Sequence, residues 1–143
     1  MTYEQLDVIA DTYIPALALI SAVLLRKSIT SNTGSPFLSQ LRELISNIVF
    51  VYFVYFLDKY FSIWPSYHLD YSTHTALVLV FICYLSTHGK AAKWLAISSC
   101  FAYLALMLYQ GYHTLLDIAS TAAVVLPVLL VVQHHFHTKS KVN

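Results

Sequence analysis

Two clusters of polar residues interrupt an otherwise apolar sequence. The first, residues 67–76 (YHLDYSTHTA), contains His74, and the second, residues 110–118 (QGYHTLLDI), contains His113 and Asp117. His113 and Asp117 are four residues apart, so on a helix they would share one face, and the carboxylate would hydrogen-bond the imidazole. Such a bond fixes the tautomer and raises the basicity of the far nitrogen, as a nucleophilic or general-base histidine requires. The spacing therefore predicts a histidine–aspartate pair suited to nucleophilic or acid–base chemistry.

The same residues admit other interpretations. His68, Asp70 and His74 on one segment, together with the pair on the other, would supply the nitrogen and oxygen ligands of a metal site, although their spacing matches no metal motif. Alternatively, the histidines are packed, hydrogen-bonded residues of a non-catalytic membrane subunit or a lipid-binding relative of an enzyme. Ionisable side chains are costly within a membrane segment, which makes them candidates for function.

The elements that must position these clusters are apolar helices. Of the 143 residues, 58% are hydrophobic and only 10% are charged, and the mean hydropathy is +0.64. In soluble domains about a quarter of the residues are charged. Five stretches approach the roughly 20 residues that cross a bilayer, and they lie at about 8–25, 44–61, 73–87, 94–110 and 113–133.

Helices satisfy their own backbone hydrogen bonds in lipid, and the apolar runs are too long for the strands of a barrel. We therefore predict an all-α, polytopic bundle of about five transmembrane helices, forming a single membrane-embedded domain over residues 1–143. The motifs lie within 59–118. A loop is predicted at 28–39 (SITSNTGSPFLS), which has the composition of turns.

The basic residues predict the orientation of the bundle. Lys59 lies on one side of the predicted spans, and the other seven lie on the opposite side: Arg26, Lys27, Arg42, Lys90, Lys93, Lys139 and Lys141. Cytoplasmic loops are enriched in Lys and Arg, so we predict an outside N-terminus and a cytoplasmic C-terminus. Both histidine clusters would then lie at the non-cytoplasmic face (the periplasmic side of the inner membrane in a bacterium). A net charge of +1 with no basic stripe argues against nucleic acid as a partner.

Both clusters resemble motifs of the type-2 phosphatidic acid phosphatase superfamily. Residues 72–76 (STHTA) resemble its Ser-Gly-His-Thr-Ala element, and residues 112–118 (YHTLLDI) resemble its His-x-x-x-Asp-Val element. Residues 70–75 (DYSTHT) also resemble, in shortened form, the Asp-Tyr-x-x-Ser-Gly-His-Thr segment of the sphingomyelin synthases, a branch with the same fold. Members of the superfamily typically have six spans and both termini inside. Five spans with an outside N-terminus correspond to that plan without its first helix.

The resemblance implies a lipid phosphatase or phosphotransferase that needs no cofactor and acts on a lipid phosphate or phosphodiester. By this resemblance His113 is the nucleophile that forms a phosphohistidine, and Asp117 orients it and stabilises its charge. His74 protonates the leaving lipid alcohol and later activates water or an acceptor alcohol. Two-step phosphoryl transfer requires a nucleophile and an acid–base group flanking one phosphorus, which fits these assignments.

The chain departs from the superfamily where phosphate is bound. Lys59 begins a segment (KYFSIWP) that is two residues shorter than the superfamily's Lys-x₆-Arg-Pro and lacks its Arg. Met107 stands where the third motif has another Arg, and Thr73 replaces the Gly before His74. Positive groups stabilise the phosphate oxygens during transfer, so other groups must hold the phosphate or the protein is a slow or inactive relative. The candidate substrate-binding residues are Lys59, His68, Asp70, Ser72, Thr73 and Tyr112.

Overall fold

The computed structural model describes residues 3–30 and 34–142, with side chains over 4–29 and 37–136, and it is helical throughout. The helices are α1 (Tyr3–Thr30), α2 (Gly34–Phe61), α3 (Thr73–Leu85), α4 (Lys90–Tyr109) and α5 (Leu115–Val142). A single 3₁₀ turn, Pro65–Tyr67, lies between α2 and α3. No strand occurs among the described residues, so the predicted all-α class is confirmed.

Four of the described helices are long and apolar enough to cross a membrane. Their candidate spans are Glu4–Ile29, Phe37–Phe61, Lys90–Tyr109 and Leu115–Phe136. The fifth, α3, has 13 residues. At about 1.5 Å per residue it is roughly 20 Å long, less than the roughly 30 Å hydrocarbon core of a bilayer.

Helix α3 forms the centre of the bundle. It packs against each of the other four helices, and nine of its 13 residues are buried. A helix enclosed by protein does not have to match the thickness of the surrounding lipid, which explains how so short a helix is accommodated. Its position also means that every other helix is placed relative to α3.

The prediction of a loop at 28–39 is wrong over most of that range. Helix α1 continues to Thr30 and α2 already begins at Gly34, while residues 31–33 lie outside the described part of the chain. The Ser28 hydroxyl donates to the carbonyl of Leu25 at 2.6 Å, so it bonds within the helix instead of ending it. Pro36 falls in the first turn of α2, where a missing N–H costs no helical hydrogen bond.

The helices run in alternating directions, which separates two ends of the bundle. One end, here called the histidine end, carries residues 62–72 and 110–114, and α3 and α5 both begin there. The opposite end, here called the lysine end, carries the connection from α3 to α4. At the lysine end the Tyr84 hydroxyl donates to Gln40 Oε1 at 3.1 Å, and Gln133 Nε2 donates to the carbonyl of Cys83 at 2.9 Å. These bonds join α2, α3 and α5.

The distribution of basic residues predicts which end faces the cytoplasm. In a variant whose buried Cys83 and Cys100 are replaced by Ala, we expect Tyr67→Cys to react with a membrane-impermeant thiol reagent applied to intact cells. Lys90→Cys should react only after the membrane is permeabilised, because the positive-inside rule places the lysine end in the cytoplasm. Both side chains are exposed, so the fold leaves both positions accessible to the thiol reagent. Labelling of Lys90→Cys in intact cells would contradict the predicted orientation.

Candidate active site

The two histidine clusters meet at the histidine end. His74 is the second residue of α3, and His113 lies in the connection just before α5. Their ring centroids are 6.1 Å apart and the ring planes are tilted by 54°. The His74 side chain is exposed, whereas His113 is half-buried. Because α3 and α5 run in the same direction and begin side by side, residues from two distant segments face each other.

The buried carboxylate of Asp117 joins the two clusters. Its Oδ1 accepts the backbone N–H of Asp70 at 2.8 Å. Its Oδ2 accepts the backbone N–H of Thr114 at 2.8 Å and the Thr114 hydroxyl at 2.7 Å. The Thr114 hydroxyl oxygen in turn accepts the N–H of Asp117 at 3.2 Å, which makes a reciprocal cap at the start of α5. One side chain therefore begins α5 and anchors the segment that leads to His74.

The predicted hydrogen bond between His113 and Asp117 is not formed. Helix α5 begins at Leu115, so His113 precedes the helix and the four-residue spacing does not place the two side chains on one helical face. His113 Nδ1 is buried and has no hydrogen-bond partner among the described residues. The carboxylate binds backbone N–H groups and a hydroxyl instead. Asp117 is thus adjacent to His113 in the fold without touching its ring nitrogen.

Two further side chains on α5 hold the same loop, and the sequence analysis missed both. Thr121 Oγ1 accepts the N–H of Ser72 at 3.0 Å, and Ser120 Oγ accepts the indole N–H of Trp64 at 3.0 Å. The available signal was the spacing from Asp117 to Thr121, two polar residues four apart at the start of an apolar helix. Together these residues fix the loop from α2 to α3 on the first turns of α5.

The Ser72 side chain is used within the protein rather than exposed to a ligand. Ser72 is fully buried, and its hydroxyl oxygen accepts the N–H of Thr75 at 3.2 Å as the cap of α3. Its hydroxyl also lies 2.8 Å from that of Thr75. Thr73 is the first residue of α3 and is half-buried. The Ser72 hydroxyl is therefore engaged within the protein, and the predicted binding role of this segment stays a prediction.

A cleft of about 480 Å³ opens beside His113, and His74 is not among its lining residues. It brings together three of the predicted site residues, Lys59, Asp70 and His113, with Asp58 at the end of α2. Its other lining residues are Tyr55, Ser62, Pro65 and Tyr71. His68 is not among the lining residues: it is exposed, has a φ of 58°, and ends the 3₁₀ turn.

Tyr112 supports the loop that carries His113. Its hydroxyl donates to Asp7 Oδ1 at 2.9 Å, and Gln110 Nε2 donates to the same oxygen at 2.6 Å. Between them Gly111 adopts a φ of +70°, a left-handed conformation that glycine accepts without strain. The hydrogen bonds to Asp7 on α1 therefore hold the chain before His113, and the hydrogen bonds from Thr114 to Asp117 hold the chain after it.

The charges around the cleft are mixed. Asp58 and Asp70 contribute carboxylates and Lys59 contributes one ammonium group. Asp58 Oδ1 also accepts the N–H of Trp64 at 2.7 Å, which fixes the turn after α2. The N-terminus of α3 adds partial positive charge beside the histidines, because the helix dipole is positive at that end, whereas the carboxylate of Asp117 lies at the corresponding end of α5.

The described residues contain no group of three or more His, Cys, Asp or Glu side chains arranged to hold a metal ion. The five residues of the metal interpretation therefore do not converge as a ligand set. Both oxygens of Asp117 already accept hydrogen bonds, which leaves fewer lone pairs for a cation.

The surroundings of His113 favour its neutral form. Burial lowers the pKa of His113, since a charged imidazolium loses solvation there, and the neighbouring His74 lowers it further. The carboxylates of Asp117 and Asp70 oppose this effect, but the net direction is downward. A neutral imidazole carries the lone pair that a nucleophile requires.

No match to this chain is found among protein-family models, curated proteins or solved structures. The resemblance of residues 70–76 and 112–118 to the phosphatase superfamily therefore stays a prediction.

The lowered pKa of His113 is open to direct measurement. In a protein with ¹⁵N-labelled histidines we expect His113 to titrate below the ordinary value of about 6.5, so that it is mostly neutral at that pH. His74→Gln should raise this pKa by removing a positive neighbour, and Asp70→Asn should lower it by removing a negative one. Asp70→Asn keeps the backbone N–H that binds Asp117. A His113 pKa at or above 6.5, or no response to His74→Gln, would refute this description of the site.

Proposed function

We propose that this protein is a membrane-embedded lipid phosphatase or phosphotransferase that works through a phosphohistidine on His113. The observation that carries the proposal is the close pair of histidines, with ring centroids 6.1 Å apart and a cleft beside His113. Reacting atoms approach to about 3–3.5 Å before bond formation. At this separation of the rings, one phosphoryl group beside His113 would also lie within reach of His74.

The proposed reaction has two steps. In the first, a ring nitrogen of neutral His113 attacks phosphorus, the bond from phosphorus to the lipid oxygen breaks, and His74 gives that oxygen its proton. In the second, His74 takes a proton from water or an acceptor alcohol, whose oxygen attacks the phosphohistidine and frees His113. Because His113 Nδ1 is buried, Nε2 is the nitrogen that reaches the substrate in this proposal. The exposed position of His74 suits a group that exchanges protons with solvent.

Asp117 is a positioning residue in this mechanism. It contacts the backbone of Asp70 and Thr114 rather than the reacting imidazole. Its negative charge nevertheless lies near His113 and favours the positively charged ring that forms on attack. Its removal should therefore affect both the spacing of the histidines and the charge that develops on His113.

Phosphate binding has to rely on few cations. Lys59 is the basic residue of the cleft, and the partial positive charge at the N-terminus of α3 has to serve in place of the two arginines that the superfamily has. Asp58 and Asp70 repel a second negative charge on the substrate. We infer that the preferred substrate is a singly charged phosphodiester or a protonated phosphomonoester lipid, bound from the non-cytoplasmic face.

A lipid-binding protein without catalytic activity is the second candidate. It is favoured by the same mixed charge of the cleft, because two carboxylates beside one lysine stabilise a transferring phosphoryl group poorly. The two candidates differ in whether a phosphoryl group is ever attached to His113.

Substitution of the histidines separates these candidates. In purified protein assayed against a panel of lipid phosphates and phosphodiesters, we expect His113→Ala and His74→Ala each to lower turnover at least about 10²-fold. His68→Ala is the matched control, since His68 is exposed as His74 is but ends the 3₁₀ turn and is not paired with His113, and it should keep wild-type turnover. Activity should survive a chelator. Wild-type protein that turns over no member of the panel, or a His113→Ala variant as active as wild type, would contradict the proposal.

The charge of the cleft predicts a substrate preference. Lys59→Ala should raise KM about tenfold, because it removes a hydrogen bond between charged groups, while Lys90→Ala at the other end of the bundle should not. A dianionic phosphomonoester should be a poorer substrate than a phosphodiester of the same lipid. Both comparisons are made by steady-state kinetics in one detergent. Equal KM values for Lys59→Ala and wild type, or a preference for the dianion, would show that other groups hold the phosphate.

A further inference from the structure

A second cavity lies at the lysine end, away from the histidines. Over the described residues α4 and α5 both pack on α3 but barely on each other, which leaves a groove of about 510 Å³ whose floor is α3. Its walls are apolar and include Leu79, Leu104 and Leu126, one from each of the three helices. The volume falls within the roughly 300–1,000 Å³ of small-molecule sites. The groove shares no lining residue with the cleft beside His113.

The length of the groove matches half of a bilayer. Along α4 it extends from Lys93 to Leu104, and along α5 from Gln133 back to Leu126. At about 1.5 Å per residue these distances are roughly 17 Å and 10 Å. Half of a hydrocarbon core of about 30 Å is roughly 15 Å, the depth reached by the acyl chains of one leaflet. An acyl chain entering from the lysine end would therefore fill the groove lengthwise.

The polar residues of the groove lie at its open end. Lys93 is exposed and lies in the first turns of α4, where the helix dipole adds partial positive charge. Ser86 and the Gln133 amide are also at this end, and the remaining lining residues are apolar side chains and two buried cysteines. A phospholipid is complementary to this arrangement. Its phosphate would lie outside, beside the one cation, and its acyl chain would lie inside an apolar groove that is as deep as one leaflet.

We propose that this groove is a binding site for a phospholipid of the leaflet at the lysine end. One acyl chain lies between α4 and α5 on α3, and the headgroup phosphate binds Lys93. The site is separate from the reaction proposed at the histidine end and does not depend on it. Lipid bound there would fill the gap between α4 and α5 and so stabilise the packing of both helices on α3.

The test uses phosphatidylglycerol with a photoreactive diazirine on its acyl chain, in nanodiscs of phosphatidylcholine. After irradiation, labelled peptides are identified by mass spectrometry while unlabelled phosphatidylglycerol is added as competitor. Labelling of residues 79–86 and 97–104 should saturate and should be competed away. The exposed apolar face of α1 around Leu19 and Ile20 is the internal control, and its labelling should rise linearly with the probe because only bulk lipid contacts it.

Two variants connect the labelling to the groove. Lys93→Ala should weaken saturable labelling about tenfold, whereas Lys90→Ala, also exposed and one turn away, should leave it unchanged. Leu126→Trp should fill the groove and abolish saturable labelling, with the melting temperature showing that the variant is folded. Linear labelling of the groove, or equal labelling of Lys93→Ala and wild type, would overturn the proposal. Cross-links between two copies of the chain through the groove would overturn it as well.

Discussion

The arrangement of this protein depends on one buried carboxylate. Burying a charge is costly unless hydrogen bonds replace its lost hydration, and Asp117 receives three of them, from the N–H of Asp70 and from the N–H and hydroxyl of Thr114. Its place in the first turn of α5 also sets its negative charge at the positive end of the helix dipole. The same contacts that offset the cost of burial determine where α5 starts and where the segment before α3 is attached.

The attachment of these segments to α5 determines where the short central helix α3 begins. Since α3 is enclosed by the other helices, its N-terminus lies where the surrounding loops place it, and those loops are fixed on α5 by Asp117, Ser120 and Thr121. Two helices of the same direction then begin side by side, which brings the ring centroids of His74 and His113 to 6.1 Å and adds the positive end of α3 beside them, while Asp117 occupies that of α5. A site with few cationic side chains thus gains positive potential from the backbone.

Much of the architecture follows from the sequence, because the length of an apolar stretch and the spacing of its residues indicate a helix directly. The all-helical class and the location of Lys59 and His113 beside one cleft could both be predicted in this way. The prediction of a hydrogen bond between His113 and Asp117 is wrong because the four-residue spacing brings two side chains together only when both residues lie in one helix, and His113 precedes α5. Where α5 begins depends on the cap made by Thr114, a local signal (Thr-x-x-Asp) that competes with the apolar pattern. The spacing of Asp117 and Thr121 marks a polar face on α5, but the partners of Ser120 and Thr121 are distant in sequence and could not be predicted from it.

The most direct test of this account is amide hydrogen exchange in the Asp117→Ala variant, which removes both acceptor oxygens. The N–H groups of Asp70 and Thr114 are far apart in sequence, yet one carboxylate binds both of them. If that carboxylate holds the two histidine segments together, both amides are protected in the wild type, and both exchange at least about tenfold faster in the variant. The amides in the middle of α3 should keep their protection, which shows that the bundle remains folded. Unchanged exchange at Asp70 in a folded Asp117→Ala protein would contradict the account.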